Sequence, residues 1–314
     1  MRSAWRRVAA AGLLLAAACA GAGTTYPRAL PGPGQPVRIE ARRVPLGVAG
    51  ASLAPGVRYA GGLDLYGTHL HGLSDLKTDG DQAWTVSDFG HLVRFTLRRD
   101  GAGRLIGAEN AISRALVDTD GRALTPKGRA DAEGLARLDD GRLLVSFEGE
   151  DRIWAYGPDG DGPPTPLRAP QAAFPENEGM EGLSAAPGGW LVLGEGGGAW
   201  VCDDAACRAL PAAPAAFGDG FRFTAADRDP AGGWFVLERF YAPPLDLRVR
   251  VRRMAPDGAL GPVLISLRPP ASVDNFEGLA VQATPDGVRL YLLSDDNANL
   301  LERTLLLAFD APGR

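Results

Sequence analysis

Three glutamates in this 314-residue chain stand in the same phrase, Glu-Gly-Leu, at well separated points. They are Glu133, Glu181 and Glu277, and His71 precedes Gly-Leu at a fourth point. A second set of acids ends the strand-like stretch that follows each copy, and it comprises Asp88, Glu148, Glu195, Glu238, Asp295 and Asp296. Carboxylate oxygens brought together in such numbers are ligands for a hard divalent cation, and Ca²⁺ takes about 6–8 oxygens.

The phrases recur because the chain repeats one antiparallel unit. Each copy opens with a short strand at Gly-Leu, turns at Asp-Gly or Gly-Gly, and returns in an apolar strand such as LLVSFEGE. Asp-Gly and Gly-Gly accommodate the positive φ that hairpin turns require. Five copies are clear, at a period of about 50 residues, and such a period of short antiparallel strands predicts a β-propeller.

The predicted fold is all-β, a single propeller domain over residues 37–314 with six blades. The sixth blade depends on residues 37–66, where VRIEARRVPLG and VRYAGGLDLYG suffice for a further blade or for the strand that closes the ring. Residues 100–131 are polar and irregular, which predicts a long loop on one face.

The repeat should bring both sets of acids to one mouth of the central channel. The first strand of each blade lines the channel, and the antiparallel second strand ends beside the point where the first begins. Glu133, Glu181 and Glu277 are therefore the predicted cation ligands. Neutral oxygens are offered nearby by Asn177, Asn275 and Asn297. A second interpretation stays open, in which the glutamates accept backbone N–H groups and join adjacent blades.

Other polar residues around the predicted mouth have candidate roles in catalysis. Asp88 or Glu148 is the expected base. The side chains expected to contact an anionic substrate are Arg239, Arg303 and His71.

Two alternatives accompany these assignments. The arginines that follow the acids, Arg94 and Arg152 included, are explained equally well as partners of neighbouring carboxylates. The other alternative is a Ser/His/Asp triad around His71 and Ser74, for which the sequence places no third member.

The N-terminus has the pattern of an export signal. Three arginines precede a short apolar run that ends at Ala18, which is typical of a signal peptide over residues 1–18. The preceding alanines and Cys19 resemble a bacterial lipobox and predict a lipidated Cys19, with ordinary signal-peptidase cleavage as the alternative. Residues 19–36 then form a Pro/Gly-rich tether. The predicted location is the periplasm or, through the lipid, the outer membrane of a bacterium.

Cysteine usage and charge agree with an exported protein that does not bind nucleic acid. Cys202 and Cys207 lie close together in CDDAAC, where a disulfide is expected in an oxidising compartment and a metal pair lacks further ligands. The net charge of −5 disfavours binding to nucleic acid or to an anionic membrane through bulk charge. Contact with a membrane is expected only through the lipid on Cys19.

Several phrases resemble those of the phytase-like propeller family, often described as having "esterase-like activity of phytase". They are DAEGLARLDDGRLLVSFEGEDRIWAY, NEGMEGLS, NFEGLAV and the closing SDDN and RTLLLAFD. The resemblance covers roughly residues 57–310. It implies an exported propeller that hydrolyses phosphoesters, with acidic channel residues holding calcium. By matching motif, only Glu133, Glu181 and Glu277 carry over, as residues of the channel mouth.

Three functions therefore remain from the sequence. The first is a cation-dependent hydrolase of phosphoesters, and the second is a hydrolase of carboxylic esters or lactones. The third is a non-catalytic propeller of the cell envelope that binds a ligand or a protein.

Overall fold

The computed structural model describes residues 32–47, 49–125, 127–175, 178–243, 246–299 and 301–313. The predicted signal peptide, Cys19, most of the tether and Asn177 lie outside these residues. Among the residues that are described, no helix is both long and apolar enough to cross a bilayer.

The described chain forms 23 strands and one helical turn, α1 (Lys127–Ala130). The first strands are β1 (Gln35–Pro36), β2 (Glu40–Arg43), β3 (Ala51–Leu53) and β4 (Arg58–Tyr66). Next come β5 (Leu73–Asp79), β6 (Gln82–Ser87), β7 (His91–Arg99), β8 (Leu105–Ala115), β9 (Ala132–Arg137), β10 (Leu143–Phe147), β11 (Arg152–Tyr156) and β12 (Thr165–Leu167). The remainder are β13 (Met180–Ala186), β14 (Gly189–Gly194), β15 (Ala199–Cys202), β16 (Cys207–Ala209), β17 (Arg222–Arg228), β18 (Trp234–Ala242), β19 (Asp246–Met254), β20 (Leu260–Leu267), β21 (Asn275–Thr284), β22 (Gly287–Asp295) and β23 (Thr304–Pro312).

These strands form five antiparallel sheets, the blades of a β-propeller. Blade 1 contains β5 to β8 with β1 at its edge, blade 2 contains β9 to β12, and blade 3 contains β13 to β16. Blade 4 contains β17 to β20 with β3 at its edge, and blade 5 contains β21 to β23 followed by β4 and β2. The innermost strands contact one another in the order β5, β9, β13, β17, β21 and back to β5, which closes the ring.

The prediction of six blades is wrong, because the N-terminal strands extend existing sheets. β4 pairs with β23 and completes blade 5, so the alternative in which residues 37–66 close the ring is the correct one. β2, β3 and β1 add edge strands to blades 5, 4 and 1. Backbone groups at these outer edges are thereby paired rather than left open.

Residues 100–131 are not one long loop. Residues Leu105–Ala115 form β8, which pairs with β7 as the fourth strand of blade 1. Its buried residues Leu105, Ala111 and Ala115 face the core, and a register shift in the pairing with β7, between Glu109 and Ile112, breaks the alternating pattern in the sequence.

The predicted pairing of the two cysteines after Cys19 is confirmed. A disulfide joins Cys202 and Cys207 across the hairpin of β15 and β16 at the edge of blade 3.

Candidate functional site

Each blade presents two equivalent positions at the same mouth of the channel. The first lies where a β-bulge interrupts pairing between the first and second strands of blades 2 to 5, and a bulge turns a side chain out of its alternating direction. In ring order the first position is Ser74, Glu133, Glu181, Thr224 and Glu277. The second position follows at the end of the next strand and is Asp88, Glu148, Glu195, Arg239 and Asp295.

This register changes two alignments that the sequence suggests. In blade 1, Leu73 pairs with Ser87 as Phe276 pairs with Ser294 in blade 5, so Ser74 is the residue equivalent to Glu277. The phrase His-Gly-Leu is therefore displaced by three residues from Glu-Gly-Leu, and it places His71 outside the inner ring. In blade 4, Phe223 pairs with Glu238, which moves Arg239 to the position of the acids.

The two rings enclose a polar pocket with a volume of about 210 Å³. Its lining is Asp88, Asp131, Glu133, Glu148, Glu181, Glu195, Arg239, Glu277, Asp295 and Asn297. Eight of these ten side chains are carboxylates and one is a cation, so the pocket concentrates negative charge far beyond the average of the chain.

Three of the carboxylates are arranged as cation ligands. Asp88, Asp131 and Glu133 each offer one oxygen, and these oxygens all lie within 4.8 Å of one another. Asp131 comes just before β9, and the sequence analysis did not single it out. Its signal is its place two residues before Glu133, since residues two apart in an extended segment point to the same side.

The pKa values of the pocket carboxyls reflect burial and mutual repulsion. Burial, and next the charge of Glu181, raises the pKa of Glu133 well above its ordinary value. Burial, and next the charge of Glu277, does the same for Glu181, and the pKa of Asp295 is raised well above its ordinary value in the same way. A cation in the pocket would remove this repulsion and favour the ionised carboxylates.

Arg239 is the cation that lines the pocket, and it lies among three side chains of blades 3 and 5. Its guanidinium donates to Asn275 and to Glu277, and its Nη2 lies 3.5 Å from Glu195 Oε1. Asn275 also donates to Glu277, 2.9 Å from Nδ2 to Oε1. The carboxylates that blades 1 and 2 contribute to the pocket therefore face Glu195 and Glu277, whose negative charge Arg239 partly neutralises.

Glu238, the acid that precedes Arg239, points away from the pocket. It is fully buried and accepts a hydrogen bond from Arg250 on the neighbouring strand β19. Arg239 lines the pocket and Glu238 does not, because adjacent residues of a strand face opposite sides of the sheet.

His71 lies beside the pocket and binds a carboxylate of blade 5. Its Nδ1 is 2.5 Å from Asp296 Oδ2, and this hydrogen bond raises the pKa of His71. Asp296 is held in turn by the backbone N–H groups of Gly72 and Ala298, at 3.1 and 3.0 Å. The imidazole is thus fixed next to Gly72, whose own backbone approaches the Asp88 carboxylate.

The other predicted arginines lie outside the pocket lining. Arg303 Nε is 3.5 Å from Asp274 Oδ2, and Arg94 Nη1 is 2.8 Å from Asp159 Oδ1. Arg152 donates to the backbone oxygen of Glu150. These contacts agree with the interpretation of Arg94 as a partner of a nearby carboxylate.

A second charged cluster lies deeper along the innermost strands. Asp75 is one residue past the mouth position of its strand, and Lys77 and Asp227 are three residues past it. Asp75 takes the position that is Gly134, Gly182 and Gly278 in other blades. Its carboxylate accepts hydrogen bonds from the backbone N–H of Leu76 at 2.7 Å, of Leu135 at 2.8 Å and of Leu279 at 3.4 Å.

Lys77 completes this cluster as a buried cation. Its Nζ donates to Asp75 Oδ1 at 2.7 Å and to the backbone oxygens of Leu76 and Leu279 at 3.0 and 3.2 Å. Asp227 of blade 4 accepts from the backbone N–H of Val281 at 2.7 Å. We call Asp75, Lys77 and Asp227 the channel floor, because together they join innermost strands of four blades.

Comparison with known proteins now identifies the family. The family profile described as "Phytase-like: Esterase-like activity of phytase" matches residues 68–298, a segment that contains every residue of the pocket and of the floor. The chain belongs to the phytase-like family. The resemblance seen in the sequence is therefore confirmed over most of this phytase-like chain.

Solved structures offer only distant likenesses to the phytase-like chain. The allergen Mala s 1 of Malassezia sympodialis is 14% identical, with 81% of this chain and 90% of the allergen covered and a TM-score of 0.44. Virginiamycin B lyase from Staphylococcus aureus is 10% identical, with 77% and 83% covered and a TM-score of 0.40. A putative gluconolactonase is 14% identical, with 88% and 94% covered and a TM-score of 0.39. At these scores the likenesses carry no argument about function, and no curated protein matches the chain.

Proposed function

We propose that this protein is a hydrolase of phosphoesters or other esters that depends on a divalent cation and acts in the acidic pocket. The observation that carries the proposal is the convergence of eight carboxylates and one arginine on a pocket of about 210 Å³. Membership of the phytase-like family supports a hydrolytic role.

The chemistry of the donor set fits a hard cation such as Ca²⁺. Asp88, Asp131 and Glu133 would hold it with carboxylate oxygens, which is the ligand type that calcium prefers. Glu181 and Glu277 lie in the same lining and offer further oxygens. When bound, the cation would polarise an ester oxygen and lower the pKa of a coordinated water.

The residues around the cation ligands have complementary roles in the proposal. Arg239 would bind a negatively charged oxygen of the substrate, since its guanidinium faces the pocket from the side opposite to Asp88. Glu148 would accept the proton of the attacking water, because it lines the pocket next to the ligand group without belonging to it. The floor residues lie beneath them along the same innermost strands.

The test is hydrolysis by purified full-length protein, with added Ca²⁺ and with chelator. Phosphate release is followed from phytate and from p-nitrophenyl phosphate, and ester cleavage is followed from p-nitrophenyl acetate. We expect turnover that requires the cation and that falls at least about 100-fold in Asp88→Asn and Glu133→Gln. Glu109→Gln is the matched control, because Glu109 forms an exposed pair with Arg98.

The outcomes separate the candidate functions. Release of phosphate alone would assign a phosphoesterase, and cleavage of p-nitrophenyl acetate alone would assign an esterase. Turnover that survives chelation would contradict the cation. Absence of turnover on all three substrates would favour the non-catalytic binding propeller.

We also propose that the protein works outside the cytoplasm, attached through a lipid on Cys19. The proposal rests on the basic and apolar residues before Cys19 and on the Pro/Gly-rich residues after it. Mass spectrometry of the membrane fraction should find a mature chain that begins with acylated Cys19. A mature N-terminus at Ala20 or beyond would contradict the lipid anchor.

A further inference from the structure

A second cavity, with a volume of about 470 Å³, opens on the outer part of blade 4. Its lining is Gly50, Ala51, Ser52, Phe221, Arg248, Arg250, Val263, Ser266 and Arg268. Three of these nine residues are arginines and two carry hydroxyls, whereas none is acidic. We call this cavity the arginine pocket. Its lining is basic, and the carboxylates of Asp246, Asp219 and Glu238 lie next to it as partners of two of the arginines.

Strand register explains why the arginines converge. Arg250 pairs with Ser266, and Ser266 pairs with Ser52, so one row of polar residues crosses β19, β20 and β3. Arg248 lies two residues before Arg250 and therefore on the same face. The opposite face of these strands carries Val249, Val251, Ile265 and Leu267, which pack in the core shared with blade 5.

Two of the arginines are held in place while they keep unused donors. Arg248 Nε and Nη2 bind Asp246, and Arg250 binds Glu238 through Nε and Asp219 through Nη1. An arginine has five N–H donors, and no hydrogen bond among the described residues uses Nη1 of Arg248 or Nη2 of Arg250. The Arg250 guanidinium also lies 3.7 Å above the ring of Phe221, which fixes its plane.

Arg268 has fewer hydrogen-bonding partners than Arg248 and Arg250 among the described residues. Within the described part of the chain, its side chain makes no hydrogen bond and no ion pair within 4 Å. It is exposed at the end of β20, beside Gly50 at the edge of β3. A bound anion would give this guanidinium a direct hydrogen-bonding partner, in addition to the more distant charge of Asp246.

The size and the apolar walls of the cavity define the ligand further. A volume of about 470 Å³ exceeds what a bare phosphate needs, and Phe221, Val263 and Ala51 offer apolar surface beside the arginines. Arginine binds phosphate and carboxylate through paired hydrogen bonds, and an aromatic ring accepts a flat apolar group.

We propose that the arginine pocket binds a small soluble organic anion, in which a phosphate or carboxylate contacts Arg248, Arg250 and Arg268 and an apolar part rests on Phe221. This site is separate from the channel mouth and requires no divalent cation. It does not depend on the hydrolase function proposed above.

Calorimetric titration of the full-length protein with phenyl phosphate in metal-free buffer tests the proposal, and inorganic phosphate is the smaller probe. We expect saturable binding of phenyl phosphate, with weaker binding of inorganic phosphate. Arg268→Gln should weaken the binding of phenyl phosphate about tenfold, because charge-assisted hydrogen bonds to the anion are lost. Arg58→Gln is the matched control, because Arg58 is an exposed arginine at the start of β4 in blade 5 and should leave the affinity unchanged.

A second variant tests the location of the site by blocking the pocket, without changing any charged residue. Ser52→Trp fills the pocket from the exposed strand β3 without altering an arginine, and it should abolish binding. Absence of saturable binding, or equal affinity in wild-type protein and Arg268→Gln, would overturn the proposal. Binding that appears only with Ca²⁺ would assign the anion to the channel mouth and overturn it too. Vesicles of phosphatidylglycerol that bind in an Arg268-dependent way, without binding of phenyl phosphate, would replace the small anion with a lipid surface.

Discussion

Eight carboxylates and one arginine line the mouth of the channel, whereas at the floor Asp75 and Asp227 accept hydrogen bonds from neighbouring donors. Among the described residues, no hydrogen bond reaches the carboxylate of Glu133 or of Glu181. The Asp75 carboxylate by contrast accepts hydrogen bonds from blades 1, 2 and 5 and from Lys77. The two layers are separated by only one to three residues along the same strands.

This difference indicates that the carboxylates of the floor and those of the mouth have different roles. A buried carboxylate whose lone pairs are satisfied by the protein contributes to structure, and one that faces other carboxylates is available to a ligand. Asp75, Asp227 and Lys77 join blades here. The interpretation in which the glutamates join adjacent blades stays open, and Glu277 fits it through its hydrogen bond from Arg239 of blade 4. Glu277 is intermediate, since Arg239 and Asn275 both donate to it.

The largest expected effect comes from the floor. Lys77→Met leaves the buried carboxylate of Asp75 without its paired cation and should lower the free energy of unfolding by about 3–5 kcal/mol. Chemical denaturation measures this change, with Arg98→Met as the control for an exposed pair that should lose less than about 1 kcal/mol. A change as small as that of the control would show that the floor is not structural.

The second effect is stabilisation of the mouth by a cation, and it should grow with pH. Raised folded-state pKa values at Glu133, Glu181 and Asp295 mean that the folded protein binds more protons than the unfolded chain above about pH 4.5. The contribution of these three carboxyls to the free energy of unfolding therefore falls as pH rises above about 4.5, and a bound cation would offset this loss. Ca²⁺ at 100 times its Kd should add about 2.7 kcal/mol.

The pH dependence of this gain separates the two layers. Burial raises the pKa of Asp75 to about 7, so the contribution of Asp75 to the stability of the folded protein also falls as pH rises. This fall is expected to be the same with and without Ca²⁺. Thermal unfolding at pH 5 and pH 8 should show a larger calcium-induced rise in Tm at pH 8. An equal rise at both pH values would place the calcium effect outside the mouth carboxylates.

A smaller effect is expected at Arg239. Arg239→Gln removes the positive charge among Glu195, Glu277 and Asn275, so the cation-free protein should lose about 2 kcal/mol of unfolding free energy. The same change should tighten Ca²⁺ binding several-fold, since a positive charge leaves the pocket. Calorimetry and denaturation on one preparation measure both, and weaker Ca²⁺ binding would argue that Arg239 organises the ligands instead.

The smallest effect has the opposite sign. Glu181→Gln removes one of the repelling charges and should stabilise the cation-free protein by about 1 kcal/mol at pH 8. Glu109→Gln, on the surface of blade 1, should change stability by less than about 0.5 kcal/mol. Destabilisation by Glu181→Gln would mean that this glutamate joins blades as the floor residues do.

Much of the fold was predictable because the Glu-Gly-Leu phrase and its hairpin turn repeat. The number of blades was not, since the N-terminal strands pair with the edges of blades formed elsewhere in the chain, and long-range pairing leaves little local signal. Strand β8 was missed because a register shift between Glu109 and Ile112 breaks the alternation of its buried positions.

The site was predictable where residue type and register agree. Glu133, Glu181 and Glu277 line one pocket, together with Asp88, Glu148 and Arg239. His71 misled the alignment because Gly72-Leu73 imitates the phrase three residues early. The floor gave a weak signal that could have been used, since Lys77 is one of only two lysines in the chain and lies on a channel-lining strand.

Titration of the purified protein with Ca²⁺ by calorimetry at pH 8 tests the central claim most directly. The account predicts one saturable site with a Kd of about 1 mM or tighter, weakened at least tenfold in Glu133→Gln and Asp131→Asn and unchanged in Glu109→Gln. Saturable binding that persists unaltered in both pocket variants, or no binding at this pH, would contradict the assignment of the channel mouth as a cation site.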